Sequence, residues 1–230
     1  MVSNRSRYGG TAVGRCGAID VAEYHQGCDC AWFRREFSLA EDETVVAVIA
    51  QLIPRKGHQV LIDTLPQVLA AAPRTRVLLF GQGPLREVLE AQCVERGVAE
   101  HVVFAGFRTD LERILPCLDL VVHPAFMEGL GVSLLQAASC GVAIVAARAG
   151  GIPEVVRHGE SGLLVEPGDA GALAAAILAL LQDPERRQAL GRGGRALVER
   201  CFSLESMVAD NLAVYRELLD PESARIRVES

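Results

Sequence analysis

The chain has 230 residues, 50% of them hydrophobic and 23% charged, which excludes a disordered polymer and leaves ample material for a packed core. Its 29 acidic and 23 basic side chains give a formal net charge of −6, which argues against a nucleic-acid binder that works through a broad basic face. Aromatic residues make up only 5%, so a stacking platform for single strands is also disfavoured, while a small anion held locally stays open.

The first 37 residues are Gly- and Cys-rich and weakly periodic, and read as an irregular linker remnant. Their start, MVSNRSRYGG, lacks the apolar core of an export signal, so a cytoplasmic location is expected, with peripheral membrane association as the alternative. Seven cysteines, odd in number and without C-x-x-C spacing, fit a reducing compartment better than a disulfide framework. Cys16, Cys28 and Cys30 do not have zinc-knuckle spacing, so free thiols and no metal are expected.

From residue 44 a regular alternation begins. Strands are expected at 44–52, 76–80, 101–105, 118–123, 142–146 and 162–166, most of them apolar nearly throughout, as strands covered on both faces must be. Helical patterns lie between them at 58–72, 84–96, 110–116, 131–140 and 151–157. Pro66 is expected to kink or split the first of these. The end is helical only, at 169–182, 184–199 and 203–219, with Asp169, Asp183 before Pro184, and Ser203 at the starts. Gly191, Gly193 and Gly194 weaken the middle helix of the three. The longest apolar run, 170–181, has 12 residues, too short to cross a bilayer. Such alternation predicts an α/β fold, a Rossmann-like parallel sheet with helices on both faces. A nucleotide-binding domain is expected over 38–200, with a helix and tail over 201–230.

Open parallel sheets bind ligands beyond the carboxyl ends of their strands. The first such loop, Ile53-Pro54-Arg55-Lys56-Gly57, offers two adjacent cations before a helix, which suits a phosphate, although on this fragment alone a solvated basic turn is the favoured reading. The second, Gly81-Gln82-Gly83-Pro84, permits close backbone approach. Arg86 stands where the dinucleotide fingerprint needs a third Gly, which makes a nicotinamide site the poorer option. The third is the most informative: polar His123 ends a strand, Glu128 follows, and Gly129-Leu130-Gly131-Val132 opens a helix whose free amides and dipole favour an anion. A carboxylate beside an anion site is better placed against a neutral, hydroxyl-rich moiety. Phosphate plus hydroxyls describes a nucleotide sugar.

The block 123–169, HPAFMEGLGVSLLQAASCGVAIVAARAGGIPEVVRHGESGLLVEPGD, closely resembles the donor-binding region of glycosyltransferase family 4, retaining enzymes of GT-B architecture. The resemblance continues through VLLFGQGPLREVLE, VVFAGFRTDLERIL and VIAQLIPRKGHQVLI, covering about residues 44–219, and YHQGCDCAWF at 24–33 is similar to the family's interdomain linker strand. It implies that this chain is the C-terminal, donor-binding half of a transferase that moves sugar from a nucleoside diphosphate, UDP or GDP, to an acceptor hydroxyl with retention. Lys56 would contact the diphosphate, with Arg55 beside it. Amides around Gly129, Leu130, Gly131 and Val132 would hold the phosphates, Glu128 would meet the sugar hydroxyls, Gly81 and Gly83 would let the nucleotide lie close, and Phe107 and Arg108 would border the base. His123 lies on the ligand edge. No metal or other cofactor is implied, because cations and a helix dipole stabilise the leaving group.

Three departures from the pattern stand out. Gln136 replaces the second carboxylate of the pair, exchanging a charge-assisted bond of about 1.5–3 kcal/mol for one of about 0.5–1.5 kcal/mol. Gln51 replaces the usual Arg before the Lys loop. Residues 1–37 cannot form the acceptor-binding N-terminal domain, so a separate or missing chain would supply it. The alternatives are a non-catalytic nucleotide-sugar-binding module or inactive transferase and, less favoured, a sugar-nucleotide epimerase. His58 and His158 read as surface or helix-start residues, and Gly150-Gly151 as either a ligand approach or a tight turn. The last helix is expected to expose Leu212, Val214 and Leu218.

Overall fold

The computed structural model describes residues 18–25 and 27–219. The first 17 residues of the expected linker, Cys16 among them, lie outside the described residues, as do the tail after 219 and the side chain of Leu218. In chain order the elements are α1 (Cys30–Glu36), β1 (Thr44–Ile49), α2 (His58–Ala71), β2 (Thr75–Phe80), α3 (Arg86–Glu95), β3 (Val102–Gly106), α4 (Leu111–Ile114), β4 (Leu120–His123), α5 (Val132–Ser139), β5 (Ala143–Ala147), α6 (Ile152–Val155), β6 (Leu163–Val165), α7 (Ala170–Leu181), α8 (Pro184–Cys201) and α9 (Leu204–Leu219). Single 3-10 turns occupy Pro54–Lys56, Ala99–His101 and Leu115–Cys117.

The six strands pair in the order β3-β2-β1-β4-β5-β6, every pairing parallel. Alternate side chains leave opposite faces of a strand, and both faces are apolar. Val45 and Ala47 enter one core with Phe33, Leu134, Leu135, Leu197 and Val198. Val46 and Val48 enter the other with Leu61, Leu65, Leu89, Leu173 and Ile177. Helices α1, α5 and α8 thus cover one face, and α2, α3 and α7 the other. The strand order runs outward from β1 through β2 to β3, then returns to β1's other side with β4. The switch point therefore lies between the carboxyl ends of β1 and β4, where such sheets bind ligands.

Two expected interruptions do not break their helices. Pro66 sits inside one 14-residue helix, α2. Its cost of about 3 kcal/mol is outweighed by burial of Leu61, Ile62, Leu65 and Val68 at about 1.5–3 kcal/mol each. Gly191 and Gly193 lie within the continuous α8 because an added Cβ would stand 2.0 Å from the carbonyl oxygen of Gly141 or Glu160. The glycines let the helix back lie directly on two loops.

The N-terminal segment departs most from expectation. Residues 30–36, expected to be irregular, form α1, capped by the Asp29 carboxylate accepting from the Trp32 amide at 3.0 Å. Phe33 and Phe37 are buried, with ring centroids 5.2 Å apart and Phe37 5.5 Å from Phe80. Burying two Phe side chains is worth about 3–6 kcal/mol, enough to fix a seven-residue helix that could not stand alone. Against the expectation of free thiols, Cys28 and Cys117 form a disulfide across 89 positions of sequence. The cysteine spacing near Cys28 carries no trace of a partner so distant, and the pairing removes the thiol argument for a reducing compartment. Among the described residues no helix is long and apolar enough to cross a membrane.

Candidate functional site

Two loops meet at the switch point. After β1, Leu52 turns inward, its amide donating to the Gln82 carbonyl at 2.9 Å, and the 3-10 turn Pro54–Lys56 follows, closed by Gly57 at φ 70°. A Cβ on Gly57 would stand 1.9 Å from the Pro124 carbonyl oxygen, so only glycine lets the turn touch the loop after β4. The Phe126 amide donates to the Arg55 carbonyl at 2.8 Å, which stitches the two loops together. Lys56 is thereby drawn inward and buried, whereas Arg55 stays exposed.

Glu128 is the centre of the site. Its Oε2 accepts from Lys56 Nζ at 2.5 Å and lies 2.7 Å from His123 Nε2, while Oε1 accepts from the Gly129 amide at 3.0 Å. Hydrogen bonding from His123, then from Lys56, holds the Glu128 carboxyl at a pKa of about 2, against the opposing effect of burial. The carboxylate is therefore ionised at any physiological pH. Its loop is supported from behind: an added Cβ on Gly150 would stand 1.8 Å from the Glu128 carbonyl oxygen, and the Gly151 amide donates to the Gly129 carbonyl at 2.9 Å. The Gly150-Gly151 pair thus braces the loop.

Beyond Glu128 the chain opens. Gly129 is exposed with nothing within 4 Å of an added Cβ. Gly131, at φ 76°, starts α5 without a side-chain cap. The amides of Leu130, Gly131, Val132 and Ser133 make no hydrogen bond among the described residues. Unpaired amides at a helix start are the donors an anion uses, and Lys56, which spends one of its three N–H bonds on Glu128, has others left.

His58 meets the helix-start expectation but not the surface one. It opens α2, yet is 1% exposed rather than at the surface, and neither ring nitrogen has a hydrogen-bond partner among the described residues. Burial first, then the nearby His123 and Lys56, lower its pKa to about 4. A neutral His58 ring avoids adding a buried positive charge beside Lys56. His158 is structural, its Nδ1 accepting from the Leu164 amide at 3.0 Å.

The remaining predicted positions separate into an open group and an engaged one. Gln51 is exposed, Leu130 is half-buried, and Phe107 and Val132 present apolar side chains to solvent at 65% and 53%. Gly81 and Gly83 lack side chains for the protein's own sake, since an added Cβ would stand 2.0 Å from the Ala50 carbonyl oxygen or 2.3 Å from that of Leu52. Arg108 is engaged with Asp110 and, at 2.6 Å, with Glu36. The hydrogen bonds from Arg108 hold Asp110 below the usual carboxylate range, and the three together leave Arg108 little freedom to meet a base. Gln136 donates to the Tyr24 hydroxyl at 2.7 Å, and Ser139 on the same helix donates to the Tyr24 carbonyl at 2.8 Å. Sequence reasoning missed Tyr24, for nothing near it signals a contact 112 positions away.

A doubly covered parallel sheet with a cationic turn, a fixed carboxylate and an open helix start at its switch point is the architecture of a GT-B glycosyltransferase domain. The family model described as "Glycosyl transferases group 1" matches residues 31–197, and the chain belongs to that family. It is 37% identical over 181 residues to a GDP-mannose-dependent alpha-(1-6)-phosphatidylinositol monomannoside mannosyltransferase of Mycolicibacterium smegmatis, covering 72% of this chain and 45% of that protein. It is 34% identical over 207 residues to a D-inositol 3-phosphate glycosyltransferase of Segniliparus rotundus, covering 87% and 46% respectively. The chain thus spans about half the length of the curated relatives it matches. Among solved structures, Anabaena HepE in complex with UDP and glucose superposes with a TM-score of 0.77 at 28% identity, over 88% of this chain and 55% of that one. The C-terminal domain of a group 1 glycosyl transferase from Francisella tularensis shares the fold, with a TM-score of 0.73 at 22% identity over 81% of this chain and 99% of that one.

Proposed function

We propose that this chain is the donor-binding, C-terminal half of a retaining glycosyltransferase, taking a nucleoside diphosphate sugar and presenting it to an acceptor hydroxyl. The observation that carries the reading is the Glu128 cluster beside the open start of α5. The nucleotide sugars in the names of similar proteins, GDP-mannose and UDP-glucose, support it. So does the shared fold of a domain described as C-terminal.

Each group has a task in this reading. Lys56 and the amides of Leu130 to Ser133 receive the diphosphate and oppose the charge that grows on it as the glycosidic bond breaks, without a metal ion. Glu128, ionised and held on both oxygens, accepts from the sugar hydroxyls. His123 fixes the carboxylate from beneath, and exposed Phe107 borders the base. The acceptor and its binding residues come from a further domain or chain. A non-catalytic nucleotide-sugar module gains support from one observation only, the engagement of Gln136 by Tyr24.

Thermal shift tests the reading. UDP- or GDP-linked sugars raise Tm, and Lys56→Ala or Glu128→Ala reduces the rise. The absence of any shift with millimolar nucleoside diphosphates or their sugars contradicts both the enzyme half and the binding module.

A further inference from the structure

Three cysteines converge where the N-terminal segment meets the domain. Cys28 is bonded to Cys117, and the unpaired, exposed Cys30 places its Sγ 3.1 Å from the Sγ of Cys28. That separation is inside ordinary sulfur–sulfur van der Waals contact, and it joins a reduced thiol to one specific sulfur of an existing disulfide. Thiol–disulfide exchange needs a thiolate with access to a disulfide sulfur and a leaving thiol able to depart. The geometry of these side chains provides the access, and the half-exposed setting of Cys117 at the end of its 3-10 turn leaves room for the departing thiol.

We propose that Cys28, Cys30 and Cys117 form a thiol–disulfide exchange site. The Cys30 thiolate, its proton given to water, attacks Cys28 Sγ. The Cys28–Cys30 bond forms as the Cys28–Cys117 bond breaks, and Cys117 leaves as a thiolate that takes up a proton. One disulfide and one thiol stand on each side, so the step is an isomerisation that needs no oxidant or reductant.

The site governs how the N-terminal segment is held. In the Cys28–Cys117 state the stretch preceding α1 is tied covalently to the approach to β4. In the Cys28–Cys30 state it is held by Tyr24 on Gln136 and Ser139, and by the Ile19 amide donating to the Phe202 carbonyl at 3.0 Å. Cys117 then becomes the reactive thiol. This site lies apart from the Glu128 cluster and does not depend on the donor-binding reading.

The test uses the full chain, oxidised with glutathione disulfide and freed of it, then alkylated with iodoacetamide under native conditions. Proteolysis without reductant and mass spectrometry locate the bonds and the alkylated thiols. Cys28–Cys117 and Cys28–Cys30 linkages both occur in the native protein, and Cys117 is alkylated about tenfold faster than in Cys30→Ser, where only Cys28–Cys117 remains. Equal alkylation of Cys117 in the two proteins, with no Cys28–Cys30 linkage, overturns the proposal. So does the absence of any disulfide at Cys28 in the wild-type chain, a measurement that needs no variant to fold. The same slow alkylation of Cys117 in Cys30→Ala as in Cys30→Ser supports it, because neither side chain can attack a disulfide.

Discussion

A buried histidine, His58, with both ring nitrogens unpaired among the described residues, gives the fold a pH dependence of definite sign. The His58 pKa is lowered to about 4, so between the unfolded value near 6.5 and 4 the unfolded chain binds a proton that the folded chain refuses. Stability is full above that window and falls as pH drops through it. The loss is about 3 kcal/mol at most. Glu128, with a folded pKa of about 2, adds a second loss as pH falls from its ordinary range near 4.5 toward 2, again because the unfolded state protonates first. His58→Leu is expected to flatten the first phase only, and Tm measured from pH 7 to 3 checks it. A profile unchanged between pH 6.5 and 4 would show that His58 titrates normally. This residue was illegible in the sequence: Lys-Gly-His reads as a polar turn, and only the meeting of two loops about 70 positions apart buries it.

Helices and loops are shaped by backbones that touch. Gly191 on α8 would place a Cβ 2.0 Å from the Gly141 carbonyl oxygen. Alanine there gains about 1 kcal/mol of helix propensity but must push a rigid loop away, so the contact wins. Gly191→Ala is expected to lower Tm by several degrees, and calorimetry decides between the two effects. An increase would mean that α8 shifts freely. Gly150→Ala acts on the site instead, since φ 53° and a Cβ 1.8 Å from the Glu128 carbonyl oxygen displace the carboxylate loop. Nucleotide-sugar affinity, read by titration, should fall about tenfold or more beyond any loss of stability. The alternation of β-branched runs with amphipathic stretches made every strand and most helices of the domain readable to within a few residues. Helix α1 was not readable, because the seven residues CAWFRRE after the Asp29 cap are held by burial of Phe33 and Phe37, the latter against Phe80, a contact that no local pattern encodes. The residues of the candidate cluster, Lys56, His123 and Glu128, were legible as residue types at strand exits. Their mutual pairing, and the capture of Gln136 by Tyr24, depended on distances that no local pattern encodes.

At the scale of the molecule, one face stays uncovered among the described residues. Along α9 the exposed apolar residues Leu204, Val208, Leu212, Tyr215 and Leu219 recur at helical spacing and share one stripe, although Val214, expected to be exposed, is half-buried. An apolar stripe left in water favours association, and in the proposed reading the acceptor-binding half lies against it. The isolated chain is accordingly expected to bind a donor sugar while transferring none to an acceptor. Equilibrium titration together with a transfer assay checks this, and transfer by the chain alone would show that the acceptor site is already present. The central claim, that the Glu128 cluster and the start of α5 hold a nucleoside diphosphate sugar, is tested most directly by a crystal structure of the chain with UDP- or GDP-sugar at millimolar concentration. The account predicts the diphosphate within hydrogen-bond reach of Lys56 Nζ and the amides of Leu130 to Ser133, with a sugar hydroxyl on Glu128. A nucleotide bound away from the carboxyl ends of β1 and β4, or none bound at all, would contradict it.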